Sequence, residues 1–282
     1  MNIMLFRFTR TLFFPLAVSL LLSSCAPVHL LRCGDQQTVE IKNLAAELNK
    51  RQFVCIGEVH SEYKHHENQL EIIKNLHDAG LDLALGLEMF SFANQEQLDR
   101  WNEGAMDWAS FAHIYSQNWK VPLALYEAIF LYARERHIPL VGLNLPPPLA
   151  HKVARQGFSS LAPPELQNLP DHVSCKQDSA QMLLLRKMLT AHGGDEARFN
   201  NFCEAQTLRD KTIALKTYRY QLDNPHKTVL ILAGIGHCLK QGMVEHLDRL
   251  SGKRTVVILP AISAQILGKA MTTEEADYLL LQ

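Results

Sequence analysis

The sequence predicts an α/β fold, a mostly parallel sheet flanked by helices, with a smaller helical subdomain or insertion. Three observations predict it. Short runs that are apolar throughout recur along the chain, as strands buried on both faces require. Segments of helical periodicity separate them. Each run then stops at a polar residue in a glycine-containing context, where the loops after parallel strands converge.

The chain opens on Arg7 and Arg10, followed by the apolar run Leu12 to Leu22 with Pro15 inside it. At about eleven residues this run is shorter than the roughly 20 of a spanning helix and suits the core of a signal peptide. It ends in Leu22-Ser23-Ser24-Cys25, the form of a bacterial lipobox, with small residues before the cysteine that would take the lipid. Residues 1–24 are therefore expected to be a lipoprotein signal peptide, 25–38 a lipid-anchored tether, 39–260 the α/β domain and 261–282 a C-terminal tail. Several acyl chains on Cys25 would hold the body at a membrane, outside the cytoplasm. Ala26, in place of an aspartate after the cysteine, favours the outer membrane in enteric-type bacteria.

Within the domain, Val39 to Lys50 reads as a short amphipathic helix, and Phe53 to Ile56 as a strand ending at Gly57. Ser61 to Ala79 is helical and closed by Gly80. Leu83 to Leu87 is a strand stopping at Glu88, Asn94 to Asn102 a helix, and 105–120 an aromatic-rich stretch. A helix from Pro122 to Arg136 leads to the strand Leu140 to Leu143, which stops at Asn144. From about 145 to 222 no strand candidate occurs, so this span reads as the helical insertion, with longer helices at Asp178 to Thr190 and Arg198 to Leu222. A strand at Thr228 to Ala233, a helix at Met243 to Leu250 and a strand at Arg254 to Leu259 complete the domain.

Composition excludes several classes. Apolar residues make up 47% and charged residues 20% of 282, an ordinary globular balance. Lys and Arg number 28 against 29 Asp and Glu, so there is no basic field for a phosphate backbone and nucleic acid is not an expected partner. With Cys25 lipidated, Cys33, Cys55, Cys175, Cys203 and Cys238 remain, an odd number whose pairing the spacing does not fix. No CxxC, G-x-S-x-G, Walker A or H-E-x-x-H motif is present.

The polar residues at the strand ends are the candidate site. Gly57-Glu58-Val59-His60, Gly86-Leu87-Glu88, Gly142-Leu143-Asn144 and Gly234-Ile235-Gly236-His237 bring Glu58, His60, Glu88, Asn144 and His237 to one edge. Glu88 lies in a stretch otherwise apolar apart from glycine, and a buried carboxylate costs several kcal/mol unless it is paired. Histidine with carboxylate suits a divalent metal or a general base with its orienting partner. His65 and His66 fall at the edges of the buried face of their helix, with His66 the preferred of the two. Gln206 and Asp210, four apart on a long helix, share a face that is either solvated or turned to the same edge. Trp101, Trp108 and Trp119 are either core or the walls of a pocket for a flat ligand.

These motifs, in this order and with the lipobox, resemble the ChaN-like lipoproteins over about residues 51 to 260. The resemblance implies a lipid-anchored, periplasm-facing haem-binding protein in haem and iron uptake, with haem held at a homodimer interface and an outer-membrane haem receptor as partner. It implies haem contacts from the set His60, Tyr63, His66, Tyr126, Asn144, Gln206 and His237. Tyrosine is the ligand expected by analogy, with Tyr63, Tyr115 and Tyr126 the nearest candidates. The wider group also includes the Tiki proteases and erythromycin-esterase-like enzymes. That likeness implies an alternative, a metal-dependent hydrolase of peptide or ester bonds. His60, Glu88 and His237 would then hold the metal and Glu58 or Glu88 would act as base.

Overall fold

The computed structural model describes residues 28–281 except 49, 174, 176–178 and 192–195. The signal segment, the lipobox and Cys25 lie outside the described residues. The elements run β1 (His29–Arg32), β2 (Thr38–Glu40), α1 (Ile41–Leu48), β3 (Phe53–Glu58), α2 (Tyr63–Asp78), β4 (Leu83–Ser91), α3 (Gln95–Asn102), α4 (Trp108–Asn118) and α5 (Glu127–Glu135). They continue with β5 (Leu140–Asn144), α6 (Pro147–Gln156), α7 (Ala180–Ala191), α8 (Glu196–Asp223), β6 (Thr228–Gly234), α9 (Ile235–Cys238), α10 (Met243–Ser251), β7 (Val256–Pro260), α11 (Ser263–Leu267) and β8 (Tyr278–Leu281).

One eight-stranded sheet has the order β2-β1-β8-β7-β3-β6-β4-β5. From β8 to β5 every neighbouring pair is parallel, and β1 runs against both β2 and β8. Strand periodicity splits the central strands between two cores. Val54, Ile56, Leu230 and Leu232 face the layer under α1 to α5, while Cys55, Val229, Ile231 and Ala233 face α8 and α10. A strand with both faces buried has to be apolar at every position, which is why these runs stand out in the sequence.

The expected tether and tail differ from the structure. Residues 29–32 and 38–40 are strands, and residues 278–281 form β8 between β1 and β7. These strands are three or four residues long and β1 and β2 are only half-buried, too short for a period to show. Val39 pairs with Leu30 in the sheet, so the first helix starts at Ile41, not at Val39. The described elements between 145 and 222 are all helical, and α8 lays Ile213 and Ala214 directly on the sheet.

Disulfides join Cys55 to Cys238 and Cys175 to Cys203, leaving Cys33 as a buried free thiol. The first ties the middle of β3 to α9, the short turn that carries His237. Among the described residues no helix is long and apolar enough to cross a membrane.

The place of β1 in the sheet is measurable. Leu30 is fully buried opposite Leu280, so Leu30→Ala is expected to cost about 2–5 kcal/mol in denaturant unfolding. A free tether would lose nothing.

Candidate functional site

The strand-end residues converge at the carboxyl edge of β3, β6, β4 and β5 around two buried carboxylates. Glu58 closes β3 and Glu88 lies near the end of β4, each almost fully inaccessible. β4 runs on past Glu88 to Ser91 with a register shift against β5, and the Asn144 side chain takes the Glu88 carbonyl in place of a ladder bond, at 2.8 Å.

Glu58 is held from three sides. His60 Nδ1 donates to its Oε1 at 2.8 Å and Gln69 Nε2, from α2, to its Oε2 at 2.8 Å. The hydroxyl of Tyr126, just before α5, donates to Oε1 as well. Burial and the negative charge of Glu58 together push the Tyr126 phenol far above its ordinary range. His66 stands behind this group: its Nε2 donates to the His60 carbonyl at 3.0 Å and its ring packs 4.2 Å from that of Tyr126.

Glu88 is held by two cations and a backbone amide. Gly234 N donates to Oε2 at 2.7 Å, Arg209 Nη2 to Oε1 at 2.6 Å, and His237 Nε2 lies 3.2 Å from Oε1. The other His237 nitrogen donates to Asp210 at 2.5 Å, and Gln181 of α7 donates to that aspartate at 2.5 Å. Burial opposes both charges of the Glu88–His237 pair, but the pairing outweighs it. It holds Glu88 well below the usual carboxylate range and raises His237 to about 9. Burial also works against the charged form of His60, and the hydrogen bond to Glu58 and the field of Glu88 overcome it, raising the His60 pKa.

Gly234 is there for a close approach. A Cβ at that position would sit 2.8 Å from His60 Cε1 and 3.0 Å from Nε2, so any side chain would displace the imidazole.

Above the carboxylates open two adjoining lobes of a cleft, about 410 and 290 Å³, each near or within the size range of small-molecule sites. They share His60, Glu88, Trp119, Phe202, Gln206 and Arg209. The outer lobe adds Asn144, His151 and Lys120, and the inner lobe adds Leu184, Leu185, Ile235 and His237.

Of the residues singled out in the sequence, Glu58, His60, Glu88, Asn144, Gln206 and His237 therefore come together at the cleft. His66 and Tyr126 support it from behind. Tyr63 does not reach it: it is 59% exposed and lines a separate cleft between α2 and α5. Tyr115 is buried with its hydroxyl on the Val121 carbonyl. Trp101 is core, whereas Trp119 walls the cleft with its ring edge-on to His60 at 5.0 Å. Cys55 and Cys238 are joined to each other, so neither offers a thiol. As a metal-ligand set, His60, Glu88 and His237 are neighbours, but Glu88 and His237 already spend their polar atoms on one another and on Gly234, Arg209 and Asp210. Among the described residues no group of three or more His, Cys, Asp or Glu is arranged to hold a metal ion.

Sequence reasoning missed Arg209, Phe202 and Gln181. The first two had a signal, since Phe202, Gln206 and Arg209 are spaced i, i+4, i+7 and form one stripe of α8. Gln181 had none, because its partner Asp210 comes from a distant segment.

The Glu88–His237 pair predicts a pH dependence. Folding raises the His237 pKa from 6.5 to about 9, so between those values the native state keeps a proton that the unfolded chain has lost. The contribution of the pair is complete below pH 6.5 and disappears as the pH rises through 9. Folding lowers the Glu88 pKa, so its share is present above 4.5 and is lost on acidification below that value. Thermal unfolding midpoints are expected to fall between pH 6.5 and 9, and His237→Gln is expected to flatten that slope. An equal slope in the variant would contradict the assignment.

Comparison with known proteins agrees with this architecture. A sequence model of the family described as "Haem-binding uptake, Tiki superfamily, ChaN" matches residues 44–247. A solved structure of ChaN from Campylobacter jejuni, described with cofacial haem binding, superposes with a TM-score of 0.71 at 21% identity, over 91% of this chain and 97% of that one. An erythromycin esterase in its open conformation gives a TM-score of 0.48 at 16% identity, over 74% and 69%. RRSP, a MARTX toxin effector domain from Vibrio vulnificus, gives 0.45 at 14%, over 86% and 37%. No curated protein matches the sequence. The Campylobacter structure shares the fold, and the match across most of the body decides the family: this chain belongs to the haem-binding uptake family of the Tiki superfamily, ChaN.

Proposed function

We propose that this chain binds haem for uptake, held periplasm-facing at a bacterial outer membrane by acyl chains on Cys25. The observation that carries the haem reading is the family match over residues 44–247. The cleft suits the ligand. Trp119 and Phe202 offer apolar walls to a flat macrocycle, and Arg209 and Lys120 are cations of the kind that pair with propionates. Haem is cargo in this reading, and the site performs no chemistry on it.

Two disulfides within one body support an oxidising compartment, in keeping with the lipobox at Leu22 to Cys25. Cofacial haem binding by the Campylobacter protein supports a pair of chains as the binding unit here, and an outer-membrane haem receptor is the partner from which such a protein would take its cargo. The hydrolase reading gains less from the geometry, because a metal at His60, Glu88 and His237 would first have to displace Arg209 and Gly234 from Glu88 and part Glu88 from His237.

Haemin titrated into the full chain in detergent is expected to give a saturable Soret change and to quench Trp119 emission. Phe202→Arg, which puts a charge into the shared wall, is expected to abolish both. Absorbance that never saturates and varies with detergent would overturn the haem reading. For the anchor, labelled palmitate is expected on the wild-type chain and not on Cys25→Ala; label persisting on the variant would refute Cys25 as the lipid site.

A further inference from the structure

We propose that the groove between α8 and α10 is a second binding site, for a phosphate ester. Cations from both helices hold the phosphate, and a leucine floor takes the body of the molecule. The inference stands apart from the haem reading.

The groove measures about 440 Å³, within the range of small-molecule sites, and shares no lining residue with the strand-end cleft. Helical spacing builds it. α8 contributes Lys211, Leu215 and Arg219, at i, i+4 and i+8 along one stripe. α10 contributes His246, Arg249 and Leu250, at i, i+3 and i+4. Residues 169–172 close the third side, and Lys211 ties them to α8 by donating to the His172 carbonyl.

Three permanent cations, Lys211, Arg219 and Arg249, therefore line one groove, with His172 and His246 beside them. The carboxylates nearby do not use up this charge. Asp171 is exposed at the third side, and Glu245 accepts from Arg249 Nη2 at 2.6 Å. Asp210, which borders a small recess behind Lys211 and His246, is spent on His237 and Gln181. Arg219 forms no hydrogen bond or ion pair with a described residue, and the His246 ring has no hydrogen-bond partner among them.

Donors that reach a groove from two helices suit an anion with oxygens on several sides. A carboxylate is filled by a single guanidinium fork, whereas a tetrahedral phosphate takes charge-assisted hydrogen bonds from Lys211, Arg219 and Arg249 together. The floor decides what carries the phosphate. Leu169, Leu215 and Leu250 lie between the cations, and Leu250 is left 45% exposed. Such a floor offers nothing to a bare ion and covers an apolar body.

The test is calorimetric and uses the full chain held in nanodiscs of phosphatidylcholine. Phenyl phosphate is expected to bind saturably, one molecule per chain. Inorganic phosphate, which lacks the ring, and benzoate, which lacks the phosphate, are each expected to bind about 10-fold more weakly. Arg219→Glu, a change at an exposed position, is expected to weaken phenyl phosphate by about 10-fold or more with an unchanged circular dichroism spectrum. Phosphatidylglycerol added to the discs separates the two sources of such a group. Competition with phenyl phosphate identifies a lipid headgroup as the natural ligand, and unchanged binding identifies a soluble ester. Phenyl phosphate that does not saturate, that benzoate matches, or that Arg219→Glu binds undiminished would overturn the site.

Discussion

Two carboxylates buried at the ends of parallel strands set the terms for the rest of the molecule. Taking such charges out of water costs several kcal/mol each unless close partners replace the lost solvation. Glu58 obtains its partners from His60, from α2 through Gln69 and from the start of α5 through Tyr126. Glu88 obtains them from α8 through Arg209 and from the β6–α9 turn through Gly234 and His237. His237 brings in Asp210, and Asp210 brings in Gln181 on α7. The helices of both sheet faces are thus registered against a pair of carboxylates, and a cleft forms where their compensating side chains meet.

The two disulfides work on the same elements. One joins β3 to the turn that carries His237, and the other fixes Cys203, one helical turn before Gln206 on α8. The loops they close span 183 and 28 residues, and loop-closure entropy gives each about 3–5 kcal/mol of stabilisation on that account. Positional freedom is removed from the cationic half of the cluster, where a shift of Arg209 or His237 would leave Glu88 uncompensated.

What could be read in the sequence was what one local stretch determines. A strand covered on both faces must be apolar at every position, so β3, β4, β5, β6 and β7 were visible, and a glutamate interrupting such a run was conspicuous. The identity of the edge was legible too, because parallel strands deliver their ends together. Hidden were features that depend on distant pairing. β1, β2 and β8 are short, and β1 and β2 only partly covered, so they carry no period of their own. Tyr126 sits in an apolar helix start like any core aromatic, and nothing local says that its hydroxyl ends on Glu58. Arg209 reads as one more surface cation of a long helix until the third turn of its stripe is matched to Glu88.

The antiparallel strand β1 has a directional consequence. His29 pairs with Leu281 at the carboxyl end of β8, so the chain enters the body on the same edge of the sheet as the cleft. Entry point and cleft are separated sideways by the four spacings from β1 to β6, each about 4.8 Å. From Cys25 to Val28 the backbone reaches at most about 10 Å. If Cys25 carries the proposed lipid, this makes a short leash: the body would hang from the membrane mouth-first, and cargo would have to arrive through the narrow layer of water between bilayer and protein.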